Sequence, residues 1–233
     1  PAMVKESGFI VSDTPRYDIK VSDKGMLELK IAELRPGTEY HAVAFIGNGV
    51  NTIVSDQVSF QTKEQFPDMV FREYVLTNYD MDKDGFLSES ETSVVTELSV
   101  PAECMYKVNS AEGITLFRNL QYLSMTGSWE GKSGLQSLDL SGISRLTDIY
   151  LMWGKLQSIT LPTGLKFVRN LALDYNFLKE IDFKDLEQAD MIQFNYNEVE
   201  SVDLSRFTRI DQLSCIGNRL KELVQQTGQQ PRR

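Results

Sequence analysis

The feature that most constrains the fold is self-similarity at a fixed spacing. The segment from Val168 to Leu178 aligns with those from Ala189 to Val199 and from Ile210 to Leu220, each 21 residues after the one before. Apolar residues recur at matching places (Leu171, Leu173 and Leu178; Ile192, Phe194 and Val199; Leu213, Cys215 and Leu220), and an asparagine recurs at 176, 197 and 218. Two weaker copies precede them, Leu146 to Leu156 and Leu120 to Ser128, giving five units. A unit this short cannot bury an apolar face alone, so copies must stack and share one core. Each unit is read as a short strand with its two central apolar side chains inward. The asparagines are read as a ladder of buried amides that satisfies turn backbone. Gly154 and Ser128 interrupt that ladder, and the extra residues Trp129 to Ser133 are placed on a loop.

Charge divides the rest of the chain. The net charge is -9, and the stretches 1–63, 64–110 and 111–233 carry -1, -7 and -1. An acidic chain is not read as a nucleic-acid binder. No apolar run approaches the roughly 18 residues needed to cross a bilayer. Two cysteines and one histidine leave no Cys/His zinc site. His41 is read as an exposed strand residue, Cys104 and Cys215 as free thiols, and the chain as not an enzyme.

Residues 1–63 alternate in short segments: 8–12, 17–21, 26–31, 40–46 and 58–62, read as five strands. The run from Leu34 to Tyr40 followed by a strand, a Gly-rich hairpin and Phe60-Gln-Thr62 resembles the second half of a fibronectin type III domain. That resemblance implies a β-sandwich and a Tyr40 hydroxyl that ties down the preceding corner. Within 64–110, the spacing of Val70, Phe71, Tyr74 and Val75 predicts a helix over 66–76, with Pro67 in its first turn. Asp80, Asp82, Asp84, Gly85, Phe86, Ser88 and Glu91 then fit the twelve-residue EF-hand loop. This pattern predicts Ca2+ held by Asp80, Asp82, Asp84, the Phe86 carbonyl, Ser88 and a bidentate Glu91, with a second helix over 91–98. With no paired loop, the ion is read as fixing a joint rather than working a sensor.

The repeats match the leucine-rich repeat pattern at its short end. With the helical cap before them and the partial sandwich, the chain resembles internalin-like surface proteins of gut bacteria. The expected fold class is multidomain and mainly β: a partial fibronectin-like sandwich at 1–63, an EF-hand-like cap at 64–110, a leucine-rich repeat solenoid at 111–224 and a flexible tail at 225–233. The resemblance implies a non-catalytic adhesion module of the bacterial cell surface, binding a protein through the repeat face. An accessory carbohydrate-binding protein of a nutrient-uptake system is the alternative. Protein or glycan contacts are placed on Tyr150, Trp153, Tyr175 and Tyr196; the competing reading has the rings of Trp153, Tyr175 and Tyr196 pack on one another and contribute only cohesion between repeats. The location is extracellular, with the membrane reached only through an anchor, of lipoprotein kind, outside this chain.

Overall fold

The five described strands of the first unit form one sheet built on a long strand. The computed structural model describes residues 4–12, 17–18, 28–29, 31 and 34–224, and the chain divides into two units, 1–65 and 66–233. Strand β1 (Glu6–Val11) carries β2 (Tyr17–Asp18) on one side and pairs antiparallel with β3 (Glu39–Gly47) on the other. Nine residues make β3 long enough for β4 (Thr52–Val54) to pair at its end and β5 (Val58–Gln61) at its beginning. The Asn48 side chain accepts from the N–H groups of Val50 and Asn51 and closes the β3–β4 turn, where Gly49 takes φ +84°. Tyr40, near the start of β3, is buried and its hydroxyl accepts from the N–H of Arg35 at 2.9 Å, tying down the corner before the strand. The partial fibronectin sandwich is overturned, because the five strands form one antiparallel layer, with β1, β4 and β5 on β3 and β2 on β1, and no second sheet exists among the described residues of this unit. Of the strand expected at 26–31, residues 26, 27 and 30 lie outside the described residues, and 28, 29 and 31 are not strand.

The second unit opens with helix α1 (Met69–Tyr79). Asp68 sets its start, later than the periodicity predicts, by accepting from Val70 and Phe71 N–H at 3.0 Å each. Its buried face, Phe71 and Val75, packs into one core with Phe66 and Phe117. Helix α2 (Glu89–Ser93) is five residues long and is started by a capping box between Ser88 and Glu91. The helix expected over 91–98 therefore stops at Ser93, and Glu97–Ser99 is instead strand β6. Leu98, 0% exposed, is drawn into the core and its strand pairs in parallel with the next turn. The EF-hand architecture is overturned for this reason, since the second flanking helix is cut to five residues and the end of its expected span becomes the first strand of the solenoid. A short helix α3 (Ala102–Met105) and a 3-10 turn (Ile114–Leu116) lead onward.

From β6 the chain winds as a parallel β-solenoid. Its main wall is a six-stranded parallel sheet in which β6 is followed by β7 (Tyr122–Ser124), β9 (Asp148–Tyr150), β11 (Phe167–Ala172), β12 (Gln188–Gln193) and β14 (Arg209–Ser214). The return wall holds shorter parallel pairs, β8 (Ser137–Asp139) with β10 (Ser158–Thr160) and β13 (Ser201–Asp203) with β15 (Glu222–Val224). Leu123, Ile149, Leu171 and Ile192 are in register and 0% exposed. Each fully buried Leu or Ile contributes about 1.5–3 kcal/mol relative to exposure. Aspartates start tight turns on the return wall: Asp139, Asp182 and Asp203 accept from the N–H two residues on at 2.8–2.9 Å.

The leucine-rich repeat and internalin-like reading is overturned at this wall. The period fixes the length of a turn and its inward positions, but strands and Asx turns make the return here, and after the 3-10 turn no helix occurs among the described residues. The surface-adhesion role, its nutrient-uptake alternative and the lipoprotein anchoring all rested on that resemblance and go with it. The asparagine ladder holds. Asn176 donates to the Leu151 and Leu173 carbonyls and accepts from Leu156 N–H; Asn197 donates to Leu173 and Phe194 and accepts from Leu178 N–H. Asn218 repeats the pattern on Phe194, Cys215 and Val199. Gly154 breaks the ladder because a Cβ there would stand 2.5 Å from Asn176 Oδ1.

Candidate functional site

Three carboxylates converge where α1 ends. Asp80 is the C-cap of α1, its N–H donating to the Leu76 carbonyl at 3.2 Å. The chain then turns tightly: Gly85 N–H donates to Asp80 Oδ2, Asp84 N–H to Asp82 Oδ1 and Phe86 N–H to Asp84 Oδ1. Gly85 has φ +91°, the left-handed geometry that the turn needs. One oxygen from each of Asp80, Asp82 and Asp84 lies within 4.8 Å of the others. Asp82 and Asp84 are exposed and Asp80 is half-buried. The Oδ1 of Asp80 is buried and has no hydrogen-bond partner among the described residues. Such a cluster of hard oxygens is able to coordinate a divalent cation. Hydrogen bonding from Asp84 N–H pulls the Asp82 carboxyl down, yet desolvation, the charges of Asp84 and Glu91 and the contact with Asp80 raise it overall above the usual aspartate value.

Glu91 is not one of the grouped trio, although its carboxylate reaches the same loop. Its Oε1 accepts from Met81 N–H at 2.7 Å, and its Oε2 accepts from Ser88 N–H and the Ser88 hydroxyl at 2.8 and 2.7 Å. The Ser88 hydroxyl bond, then the backbone donors, hold the Glu91 carboxyl below the usual glutamate range. The structure thus assembles Asp80, Asp82 and Asp84, while Ser88 and Glu91 close the cap of α2 and Phe86 follows the turn. The loop is no EF-hand calcium loop.

No family model matches the sequence, and a search of curated proteins returns no match. The site is therefore read from its own geometry.

Trp153, Tyr175 and Tyr196 form a second constellation. Their rings stack face to face along the solenoid, Trp153 on Tyr175 at 3.8 Å and 7° and Tyr175 on Tyr196 at 4.6 Å and 14°. All three residues have φ of 54–58°, an unusual backbone for aromatic residues, and each precedes the ladder position. Trp129 meets Trp153 edge to face at one end, and at the other Tyr196 lies where a Gly217 Cβ would stand, 2.6 Å away. Both faces of Tyr175 are therefore covered by neighbouring rings, and Trp129 and Gly217 flank the two ends of the stack. Tyr150 lies apart, on the main wall beside Tyr122. Burial, then the charge of Asp148, raises its hydroxyl above the usual tyrosine range. The Asp148 carboxylate is buried and held by Asn170, Thr147 and Arg169.

His41 is exposed and shares a 2.8 Å hydrogen bond with Ser59, and both cysteines are free. No helix among the described residues is long and apolar enough to cross a membrane. Sequence reasoning missed Tyr74 and Tyr79, whose hydroxyls donate to the Ser99 and Glu97 carbonyls of β6 at 2.7 and 3.1 Å. Tyr74 reads only as part of the apolar helix spacing, and nothing in the sequence announces a strand edge as the acceptor.

Proposed function

We propose that this chain is a calcium-binding β-solenoid that acts as a scaffold, with the ion held by Asp80, Asp82 and Asp84 at the N-terminal end of the solenoid. The observation that carries the reading is the buried, partnerless Asp80 Oδ1 inside a cluster of three carboxylates. An orphaned buried carboxylate oxygen is costly unless a cation meets it. The donor set is all oxygen and sits on a turn, which suits calcium over zinc or copper. A trio without a bidentate glutamate suits an affinity in the range of extracellular modules, about 10⁻⁴–10⁻³ M, and hence a place outside the cell. The scaffold role is supported by the use of the buried polar groups Glu91, Asn176, Asn197 and Asp148 in bonds within the fold.

Calorimetric titration of the whole chain with calcium, magnesium and zinc chlorides tests this. One calcium per chain is expected, with weaker magnesium and no zinc heat, and Asp82→Asn weakens calcium binding. Absence of calcium heat at millimolar concentration, or a titration unchanged by Asp82→Asn, overturns it.

A further inference from the structure

Helix α1 does more than precede the cluster, because it covers the first edge of the solenoid. A parallel sheet has two edges whose backbone groups invite pairing. At the β6 edge the Glu97 and Ser99 carbonyls are taken by the Tyr79 and Tyr74 hydroxyls. Phe71 and Val75 of the same helix close the core beneath. The start of α1 is fixed firmly: Asp68 caps the helix through Oδ1 while its Oδ2 accepts from Asn109 and Ser110 N–H at 2.9 and 3.2 Å. On the far side, Asn119 donates to the Ser93 carbonyl at 2.6 Å and ties the end of α2 to the turn before β7.

The end of α1 is electrostatically unfavourable by itself. The helix C-terminus carries about half a negative charge from its aligned peptide dipoles. Asp80, Asp82 and Asp84 set three carboxylates at that pole, and the last turn holds no basic residue. A bound divalent ion reverses the sign of the interaction, replacing repulsion of the pole with attraction. Tyr79, the last helical residue, adjoins the first carboxylate and is itself one of the two groups on the β6 edge.

We propose that cation binding at Asp80, Asp82 and Asp84 gates the edge strand β6: the occupied loop holds α1 closed on the Glu97 and Ser99 carbonyls, and the ion-free loop lets α1 open and bare that edge. This rests on the cation reading above and adds its consequence.

Hydrogen exchange on the whole chain, in calcium and in chelator, tests the gate alongside calorimetry on the same samples. At calcium about a hundred times its dissociation constant, exchange of the opening unit slows by up to about a hundredfold. The slowing is expected in α1 and β6, with β11 and β12 unchanged. A second signature separates the gate from simple stabilisation. In chelator, Asp82→Asn removes one repelling charge, so its α1 and β6 exchange more slowly than wild type; in calcium the order reverses. Calcium heat with unchanged α1 and β6 exchange overturns the gate and leaves the site standing. Absence of heat overturns the site itself. Equal exchange of wild type and Asp82→Asn in chelator also contradicts the gate.

Discussion

Asparagine and glutamate show how differently two residues can be read. Asn176, Asn197 and Asn218 recur at the period, and a recurrent amide inside an apolar pattern has one economical use, which the ladder fulfils. Asn197→Ala is expected to cost about 1–3 kcal/mol, the range for stranding buried partners. Gln212→Ala, exposed on β14, stays within about 0.5 kcal/mol; equal denaturation midpoints for the two would contradict the ladder. Asn195, outward in the pattern, is not idle, because its Oδ1 accepts from the Ser214 hydroxyl and Ile216 N–H. Glu91 reads in the sequence as the bidentate ligand that closes a calcium loop. Its carboxylate serves a helix cap as readily as an ion, and local N–H geometry decides between them. Ser88→Ala is accordingly expected to destabilise by about 1 kcal/mol, measured by urea denaturation. An unchanged midpoint would remove the cap from the account.

At the scale of elements, α1 was legible because its apolar spacing spans several turns, and its start shifted only to where Asp68 caps it. The β6 strand was not. Thr96 to Ser99 follows a helical pattern, and pairing with β7, with the Thr96 carbonyl accepting from Gln121 and Tyr122 N–H, overrides local preference. The same edge gives a pH dependence. Burial, foremost, pushes the Tyr74 hydroxyl above the ordinary tyrosine value of 10.0. The folded state holds this proton more tightly than the unfolded chain, which ionises first as pH rises, so the stability is full below the ordinary value and is lost as pH rises beyond it toward the raised folded value. Alkaline titration of wild type should therefore show the α1 region loosening above about pH 10. Tyr74→Phe, which has no proton to lose, should flatten that limb and cost about 1 kcal/mol at neutral pH. A limb of the same steepness in Tyr74→Phe would assign the transition to other groups.

For the whole molecule, periodicity disclosed stacking, the inward positions and the approximate number of turns, but not what returns the chain. Leu138 and Val202 sit on return-wall strands that the repeat pattern leaves unassigned, and a three-residue element carries too little pattern to announce itself. The turns are further joined by the rings. Trp153→Ala removes a stack at 3.8 Å and is expected to lower the melting temperature of the solenoid, aromatic pairs adding about 0.5–1.5 kcal/mol beyond burial. Surface ion pairs one turn apart, such as Lys166–Glu187 and Lys221–Glu200, contribute less, about 0–1 kcal/mol each. The central claim, a cation seated at Asp80, Asp82 and Asp84, is tested most directly by calorimetric melting of the chain in calcium and in chelator. Saturation about a hundredfold above the dissociation constant stabilises by about 2.7 kcal/mol, a rise of several degrees, and Asp82→Asn should lose most of that rise. Superimposable melting curves in calcium and chelator would contradict the claim.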